Sequence, residues 1–153
     1  MKFKLYEAEP HTLIIYTDGG ARGNPGPAAV GAVIQDASGK MLKEYSHYLG
    51  ERTNNEAEYE AVILALKKAK QLFGKGKTKE MAVHFRVDSE LIARQLMGRY
   101  KVEEERLAQL FMKVWNLKMD FGSVDFESIP REKNRAADRL VNRELDRQET
   151  KLF

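Results

Sequence analysis

The stretch that decides the interpretation of this chain is Thr17-Asp18-Gly19-Gly20-Ala21-Arg22-Gly23-Asn24-Pro25-Gly26-Pro27. The residues ahead of it, 12–16, are apolar, β-branched or aromatic and predict a buried strand. Four glycines and two prolines follow, and they predict that the strand ends and that neither helix nor strand continues. We therefore expect Asp18 at the tip of a rigid strand, beside a loop that a large ligand could approach closely. Taken alone, Asp-Gly-Gly is equally typical of a hairpin turn.

Length and composition indicate one globular domain. The chain has 153 residues, of which 42% are hydrophobic and 9% aromatic, enough for a substantial core. No repeat, linker or low-complexity segment divides it. We expect a single domain over residues 1–153, with a core at about 11–147 and tails at 1–10 and 148–153.

Charge and cysteine content limit the classes of partner and chemistry. The 26 basic and 23 acidic side chains give a net charge of +3, which permits a polyanionic partner without requiring one. The absence of cysteine excludes disulfides, thiol catalysis and cysteine-ligated zinc. No apolar run is long enough for a membrane span, and the first residues lack the apolar segment of a secretory signal. We expect a cytoplasmic protein, a monomer without a membrane or obligate protein partner.

The order of predicted elements is βββαβααβα, which indicates an α/β fold. Three strands joined by tight connections predict an antiparallel meander, and strands separated by helices predict parallel pairing with it. The result is a five-stranded mixed sheet flanked by helices. The predicted strands are 12–17, 28–35, 41–49, 81–87 and 124–129, and the predicted helices are 55–73, 89–96, 102–118 and 134–147.

Four acidic residues stand where a predicted element begins or ends. Asp18 and Asp88 end two strands, and Glu58 and Asp138 lie in the opening turns of two helices. Because ligands gather at the carboxyl ends of neighbouring parallel strands, we expect these four acids to converge. Converging carboxylates repel one another unless a cation neutralises them, and hard oxygen ligands favour Mg²⁺ or Mn²⁺. Any one of them, taken singly, is equally well explained as a solvated helix cap or surface charge.

The motifs in the chain resemble those of the ribonuclease HI family, in that family's order and over residues 12 to about 147. They are Tyr16-Thr17-Asp18-Gly19-Gly20 with Gly23-Asn24-Pro25-Gly26-Pro27, Thr53-Asn54-Asn55-Glu56-Ala57-Glu58, Val87-Asp88-Ser89, and Pro130-Arg131-Glu132-Lys133-Asn134-Arg135-Ala136-Ala137-Asp138. The resemblance implies the ribonuclease H fold. It also implies endonucleolytic cleavage of the RNA strand of an RNA/DNA hybrid, leaving 5′-phosphate and 3′-hydroxyl ends.

The resemblance further implies roles for individual residues. Asp18, Glu58, Asp88 and Asp138 match the family's catalytic acids, which bind two Mg²⁺ or Mn²⁺ ions for phosphodiester hydrolysis, with Asp18 between the ions. A second set matches the family's contacts to the hybrid, where hydrogen bonds to the 2′-hydroxyl distinguish RNA from DNA. This substrate-binding set is Gly20, Ala21, Asn24, Thr53, Asn54, Asn55 and Glu90. Asn54 and Asn55 are also explained as helix caps.

Two departures from the family pattern affect the expected activity. Ser128 stands at the position aligned with a loop histidine that many members carry, so we expect slower turnover, with Arg131 and Glu132 the nearby polar side chains. The basic, tryptophan-rich segment that grips the hybrid in well-known bacterial members (here called the handle) is lacking. The corresponding residues 98–121 hold one tryptophan, Trp115, which we expect in the core. Hybrid binding is then expected to be weak and salt-sensitive.

Two alternatives stay open from the sequence. The chain could be a non-catalytic nucleic-acid-binding module with the same fold, or a related nuclease that also acts on double-stranded RNA. The complete set of acids favours a nuclease, and the missing handle leaves the preferred duplex open.

Overall fold

The computed structural model of the protein describes residues 11–151. Within them the five expected strands and the expected helices follow one another in the expected order. The strands are β1 (His11–Ala21), β2 (Gly26–Asp36), β3 (Met41–Arg52), β4 (Met81–Val87) and β5 (Ser123–Ser128). The helices are α1 (Asn54–Phe73), a single turn α2 (Lys75–Thr78), α3 (Glu90–Leu96), α4 (Glu105–Lys118), a 3₁₀ turn (Arg131–Lys133) and α5 (Arg135–Lys151).

The strands form one mixed sheet in the order β3-β2-β1-β4-β5. β1, β2 and β3 pair as an antiparallel meander, whereas β4 is parallel to both β1 and β5. The parallel register places Thr17 opposite Val87, and Val87 opposite Ser128. The residues that follow Thr17 and Val87 along the chain therefore emerge side by side at one edge of the sheet.

The expected end of β1 was wrong. The strand continues beyond Asp18 through Gly19, Gly20 and Ala21, which pair with residues 28–30 of β2. The antiparallel hairpin pairs these residues with β2, so the loop is confined to residues 22–25. Asp18 is nevertheless the first residue past the parallel pairing with β4, which ends at Thr17. Asp18 therefore lies at the edge of the parallel part of the sheet, as predicted, although β1 itself does not end there.

Helices cover both faces of the sheet. On one face α1 and α4 bury a large apolar core with the sheet, in which Ile15, Tyr59, Leu66, Phe85 and Leu110 are almost fully inaccessible. On the other face α5 packs through Val141 and Leu145 against Ala29 of β2. Apolar positions at helical spacing on α1, α4 and α5 explain this packing, since each helix turns one stripe toward the sheet.

Several predicted boundaries shift by a few residues. α4 begins at Glu105, three residues later than expected, and α5 runs to Lys151 and so absorbs most of the expected tail. The turns α2 and Arg131–Lys133 were not expected. The expected tail at 1–10 lies outside the described residues. No helix within residues 11–151 is long and apolar enough to cross a membrane.

The expectation that Trp115 lies in the core was wrong, because the residue is 50% exposed. Leu110 and Val114 already occupy the buried face of α4, and the next residue along a helix points about 100° away. The Lys118 ammonium lies over the Trp115 ring, 5.3 Å from its centroid. Among the described residues, no additional helix stands between α3 and α4, as expected of a chain without the handle.

Candidate active site

Three acidic side chains from three different elements meet at the carboxyl ends of β1 and β4. They are Asp18 in β1, Glu58 early in α1 and Asp88 directly after β4. One carboxylate oxygen from each lies within 4.8 Å of the others. All three line an open cavity of about 460 Å³. The structure therefore brings three of the four acids predicted from the sequence close enough together for one cation to bind all three.

The fourth acid, Asp138, lies at the border of this group. It stands in the first turn of α5 and lines the same cavity, and its negative charge is one of the causes that raise the pKa of Asp18. It does not belong to the group of three that fall within 4.8 Å. The four predicted acids thus share one cavity, with three clustered tightly and Asp138 adjoining Asp18.

A glycine allows Glu58 to approach Asp18. The N–H of Gly19 donates a hydrogen bond of 3.0 Å to Glu58 Oε1. A β-carbon at position 19 would lie 2.7 Å from the Glu58 nitrogen and closer still to the Ala57 carbonyl. Since real β-carbons avoid such contacts, only glycine lets α1 lie this close to β1. A second close approach occurs at Gly31, where a β-carbon would lie 2.6 Å from the Ala137 carbonyl of α5.

An asparagine holds Asp88 in place. Asn134, at the start of α5, donates from Nδ2 to Asp88 Oδ2 at 3.0 Å and to the Thr17 carbonyl at 2.9 Å. Asn134 is 1% exposed, so these bonds are shielded from water. The side chain links the residue before Asp18 to Asp88 itself.

Two carboxyl groups of the cluster, those of Asp18 and Glu58, hold their protons unusually tightly. Burial, followed by the negative charges of Asp88 and Asp138, raises the pKa of Asp18 from 3.8 to about 8. Burial, followed by the charges of Asp18 and Asp88, raises the pKa of Glu58 well above its ordinary value. The Gly19 N–H and the Arg131 charge oppose this rise at Glu58. Carboxylates crowded in this way are stabilised in their ionised form by a bound cation.

The donor set fits a hard divalent ion. All three clustered ligand atoms are carboxylate oxygens, which suit Mg²⁺ and Mn²⁺ rather than a metal that prefers sulfur or imidazole. The raised pKa values of Asp18 and Glu58 agree with a site that gains its stable charge state when a cation is bound.

The loop after β1 is tied to the start of α1 beside the acids. The Ala21 N–H donates to Asn54 Oδ1, and the Asn54 N–H donates to Asn24 Oδ1, both at 2.9 Å. Thr53 caps α1 through a reciprocal pair of bonds with Glu56. Because Thr53 takes the capping role, neither Asn54 nor Asn55 serves as the cap.

The predicted substrate-binding residues differ in their distance from the acids. Gly20, Ala21, Asn54 and Asn55 line the cavity that holds them. Asn24 does not line the cavity, but its side chain accepts a hydrogen bond from the Asn54 N–H. Thr53 and Glu90 are not among the described residues that line the cavity, and Glu90 pairs instead with Arg94 at 3.4 Å.

Two arginines also line the cavity. Arg131 lies in the 3₁₀ turn before α5, and Arg22 lies in the β1–β2 loop, where Asp146 and Glu149 of α5 pair with it. Ser128 ends β5, paired with Val87, and is not among the described lining residues. Of the side chains predicted near the loop histidine position, Arg131 is therefore the one that lines the cavity.

Sequence reasoning gave no role to Asn134 or Arg22, and it named Arg131 only as a nearby polar candidate. Asn134 and Arg131 both belong to the segment 130–138 that was quoted for its final aspartate. An asparagine at the start of a predicted helix, four residues before a candidate ligand, was the available signal. Arg22, the one charged residue in the glycine-rich loop, was the other.

The chain matches known proteins over most of its length. A family described as "Reverse transcriptase-like" matches residues 16–144, which is most of the chain. A bifunctional protein of Mycobacterium tuberculosis is 38% identical over 135 residues, covering 88% of this chain. The chain spans only 35% of the length of that relative.

Solved structures match this chain over nearly their whole length. LC11-RNase H1, isolated from compost by a metagenomic approach, is 51% identical with a TM-score of 0.85, covering 90% of this chain and 98% of the other. That protein has also been solved in complex with an RNA/DNA hybrid. RNase H1 of the archaeon Halobacterium salinarum is 35% identical with a TM-score of 0.81, covering 88% of this chain and 98% of the other. The present chain belongs to the ribonuclease HI family.

Proposed function

We propose that this chain is an endoribonuclease that hydrolyses the RNA strand of RNA/DNA hybrids and leaves 5′-phosphate and 3′-hydroxyl ends. The observation that carries the proposal is the convergence of Asp18, Glu58 and Asp88 within 4.8 Å at an open cavity. The structure of LC11-RNase H1 with an RNA/DNA hybrid supports the choice of substrate.

The acids are proposed to hold two Mg²⁺ or Mn²⁺ ions. Asp18 is clustered with Glu58 and Asp88 and also feels the charge of Asp138, so it is the candidate to serve both ions. Divalent ions bound here supply positive charge for a water nucleophile and for the leaving oxygen at phosphorus. Asp18, Glu58, Asp88 and Asp138 are therefore the proposed catalytic residues.

Protein groups around the cluster orient it. The Gly19 N–H fixes one oxygen of Glu58, and the Asn134 amide fixes one oxygen of Asp88. Burial and the neighbouring negative charges favour the protonated form of Asp18, and that proton must leave when the carboxylate becomes a ligand.

The rim next to the acids supplies the proposed contacts to the RNA strand. The backbone of Gly20 and Ala21 and the amides of Asn54 and Asn55 line the same cavity. An amide both donates and accepts, so it can bond to a 2′-hydroxyl, the group that marks RNA. The proposed substrate-binding set also includes Asn24, Thr53 and Glu90, which are not among the described residues that line the cavity. A phosphate of the RNA strand could then lie against the acids while the neighbouring ribose hydroxyl bonds to the asparagine amides.

Two further predictions stand beside the activity. The chain is predicted to act as a single domain with its core at about 11–147, and as a cytoplasmic monomer. Size-exclusion chromatography with light scattering tests the oligomeric state.

The proposal is tested by cleavage of an end-labelled RNA/DNA hybrid in Mg²⁺ or Mn²⁺, with D18N and D88N as matched isosteric variants. We expect metal-dependent cleavage of the RNA strand by the parent and a loss of at least about 10³-fold in either variant. E80Q, which removes an exposed acid outside the cavity, is the control and keeps the parent rate.

The same assay separates the alternatives. Double-stranded RNA and double-stranded DNA of the same sequence are run beside the hybrid. Hybrid binding without metal-dependent cleavage would identify a non-catalytic binding module. Equal cleavage of double-stranded RNA would show that the substrate class is broader than hybrids.

A further inference from the structure

The side chain of Asn134 is placed in an unusual way for its position. Asn134 directly precedes α5, and its carbonyl accepts the Asp138 N–H at 3.1 Å, as expected of a residue that starts a helix. Asparagine in that position commonly uses Oδ1 to accept a backbone N–H of the first turn. Here Oδ1 is buried and has no hydrogen-bond partner among residues 11–151, the one such buried side-chain atom in this range.

Two hydrogen bonds donated by Nδ2 explain why Oδ1 of Asn134 does not cap the helix. Nδ2 faces two acceptors, the Thr17 carbonyl at 2.9 Å and Asp88 Oδ2 at 3.0 Å. A reversed amide would place Oδ1 against two oxygens, so this network fixes the orientation. An unpartnered buried oxygen is unfavourable, and only these two bonds offset it. The side chain is oriented by the site and not by the helix that it precedes.

The contacts of Asn134 connect three of the four acids. Its amide bonds to the carbonyl of Thr17, in the peptide that leads into Asp18, and to the carboxylate of Asp88. Its own carbonyl bonds to the backbone of Asp138. With an exposure of 1%, the side chain has little freedom to move. One residue therefore sets the separation of the ends of β1 and β4 and the start of α5.

We infer that Asn134 is a positioning residue that pre-organises Asp88 against Asp18 for binding of a divalent cation. This inference rests on the proposed function, since it assigns Asn134 to the metal site of that nuclease. Partners that orient ligand side chains typically change metal affinity by about 10- to 100-fold when they are removed. Asn134 is not among the described residues that line the cavity, so it acts through Asp88.

The test is calorimetric titration of Mn²⁺ into the substrate-free protein, for the parent, N134A, N134S and V114A. N134A removes both bonds, whereas N134S leaves a shorter group with a single O–H donor. V114A opens the core beneath α4 and serves as the control for lost stability, because Val114 is 1% exposed and does not line the cavity. Circular dichroism melts establish that each variant is folded.

We expect the Mn²⁺ dissociation constant to rise at least about tenfold in N134A and by less in N134S. V114A should melt at a lower temperature than the parent yet bind Mn²⁺ with the parent's constant. If N134A does not fold, N134S is compared with V114A and decides the matter. Binding within about twofold of the parent in the folded Asn134 variants would overturn the inference and leave Asn134 with a purely structural role.

Cleavage by the parent separates this result from the fate of the proposed function. A parent that cleaves hybrid while its Asn134 variants bind Mn²⁺ normally would refute the positioning role alone. A parent that binds Mn²⁺, loses affinity in N134A and leaves hybrid intact would refute the nuclease proposal while supporting the role of Asn134.

Discussion

The Gly19 N–H donates to Glu58 Oε1 at 3.0 Å, and this bond exists because residue 19 has no β-carbon. A β-carbon there would overlap the backbone of α1 at Ala57 and Glu58. The glycine after Asp18 is therefore a packing requirement of the site, since it sets how closely α1 can bring Glu58 to β1.

Replacing Gly19 with alanine should push α1 away from β1. We expect G19A to lose roughly 1–3 kcal/mol of unfolding free energy, as overpacked cores do, and to lose about 100-fold in hybrid cleavage as Glu58 moves. Denaturant melts and single-turnover cleavage measure the two effects. G76A is the matched control, because a β-carbon at position 76 meets nothing within 4 Å. A G19A protein with the parent's stability and rate would show that this close approach is unimportant.

Removing the Asp18 carboxylate should stabilise the metal-free protein. The pKa of Asp18 is about 8 in the folded chain, raised by burial and then by the charges of Asp88 and Asp138, against an ordinary 3.8. The folded state therefore keeps a proton that the unfolded state has released between these two values. Its contribution to stability is fully present below pH 3.8 and is lost as the pH rises through about 8.

The measurement is the melting of parent and D18N in EDTA at several pH values. The parent should lose stability from about pH 5 to pH 8, and D18N should lose less, exceeding the parent by roughly 2 kcal/mol at pH 8. E80Q, at an exposed acid outside the cluster, should follow the parent. If the curves for the parent and D18N run parallel, the crowding of these carboxylates has no energetic consequence.

Arg131 should matter for activity more than Ser128. Its charge lowers the pKa of Glu58 against the larger effects of burial and the neighbouring acids, and its side chain lines the cavity. We expect R131A to reduce kcat/KM for hybrid by about 10- to 100-fold, the range for loss of a charged contact. R143A removes an exposed arginine of α5 outside the cavity and is the control.

The sequence also predicts that a histidine at position 128 raises turnover, and the structure alters that expectation. Ser128 is held in the sheet opposite Val87 and is not among the described cavity-lining residues. An S128H variant that is no faster than the parent, together with a slow R131A, would assign the loop's contribution to Arg131. An R131A variant with the parent's kcat/KM would contradict this account of the loop.

Much of the fold was predictable because its signals are local. Strand β4 was predicted at its observed bounds, and α4 was predicted with its observed end and a start three residues early. The parallel pairing of β1 with β4 followed from the intervening helix, and it placed Asp18 beside Asp88. Features that depend on distant partners were missed. Residues 19–21 extend β1 because β2 pairs with them, and the contacts of Asn134 cross from α5 to two strands.

Trp115 shows where residue type misleads. Tryptophan is usually buried, but its place on α4 is decided by Leu110 and Val114, which already fill the inward face. We expect W115A to cost less than about 1 kcal/mol of unfolding free energy, against about 2–5 kcal/mol for L110A. Urea melts of the two variants provide the comparison. A W115A protein as unstable as L110A would contradict the exposed position of Trp115 and indicate that its side chain is part of the core.

The central claim is that Asp18, Glu58 and Asp88 jointly bind a divalent cation. The most direct measurement is anomalous diffraction at the manganese edge from crystals of the parent and of D18N grown with Mn²⁺. The account predicts anomalous density coordinated by the carboxylates of Asp18, Glu58 and Asp88 in the parent and its loss in D18N. Parent crystals without manganese among these carboxylates, at a concentration that supports hybrid cleavage, would contradict it.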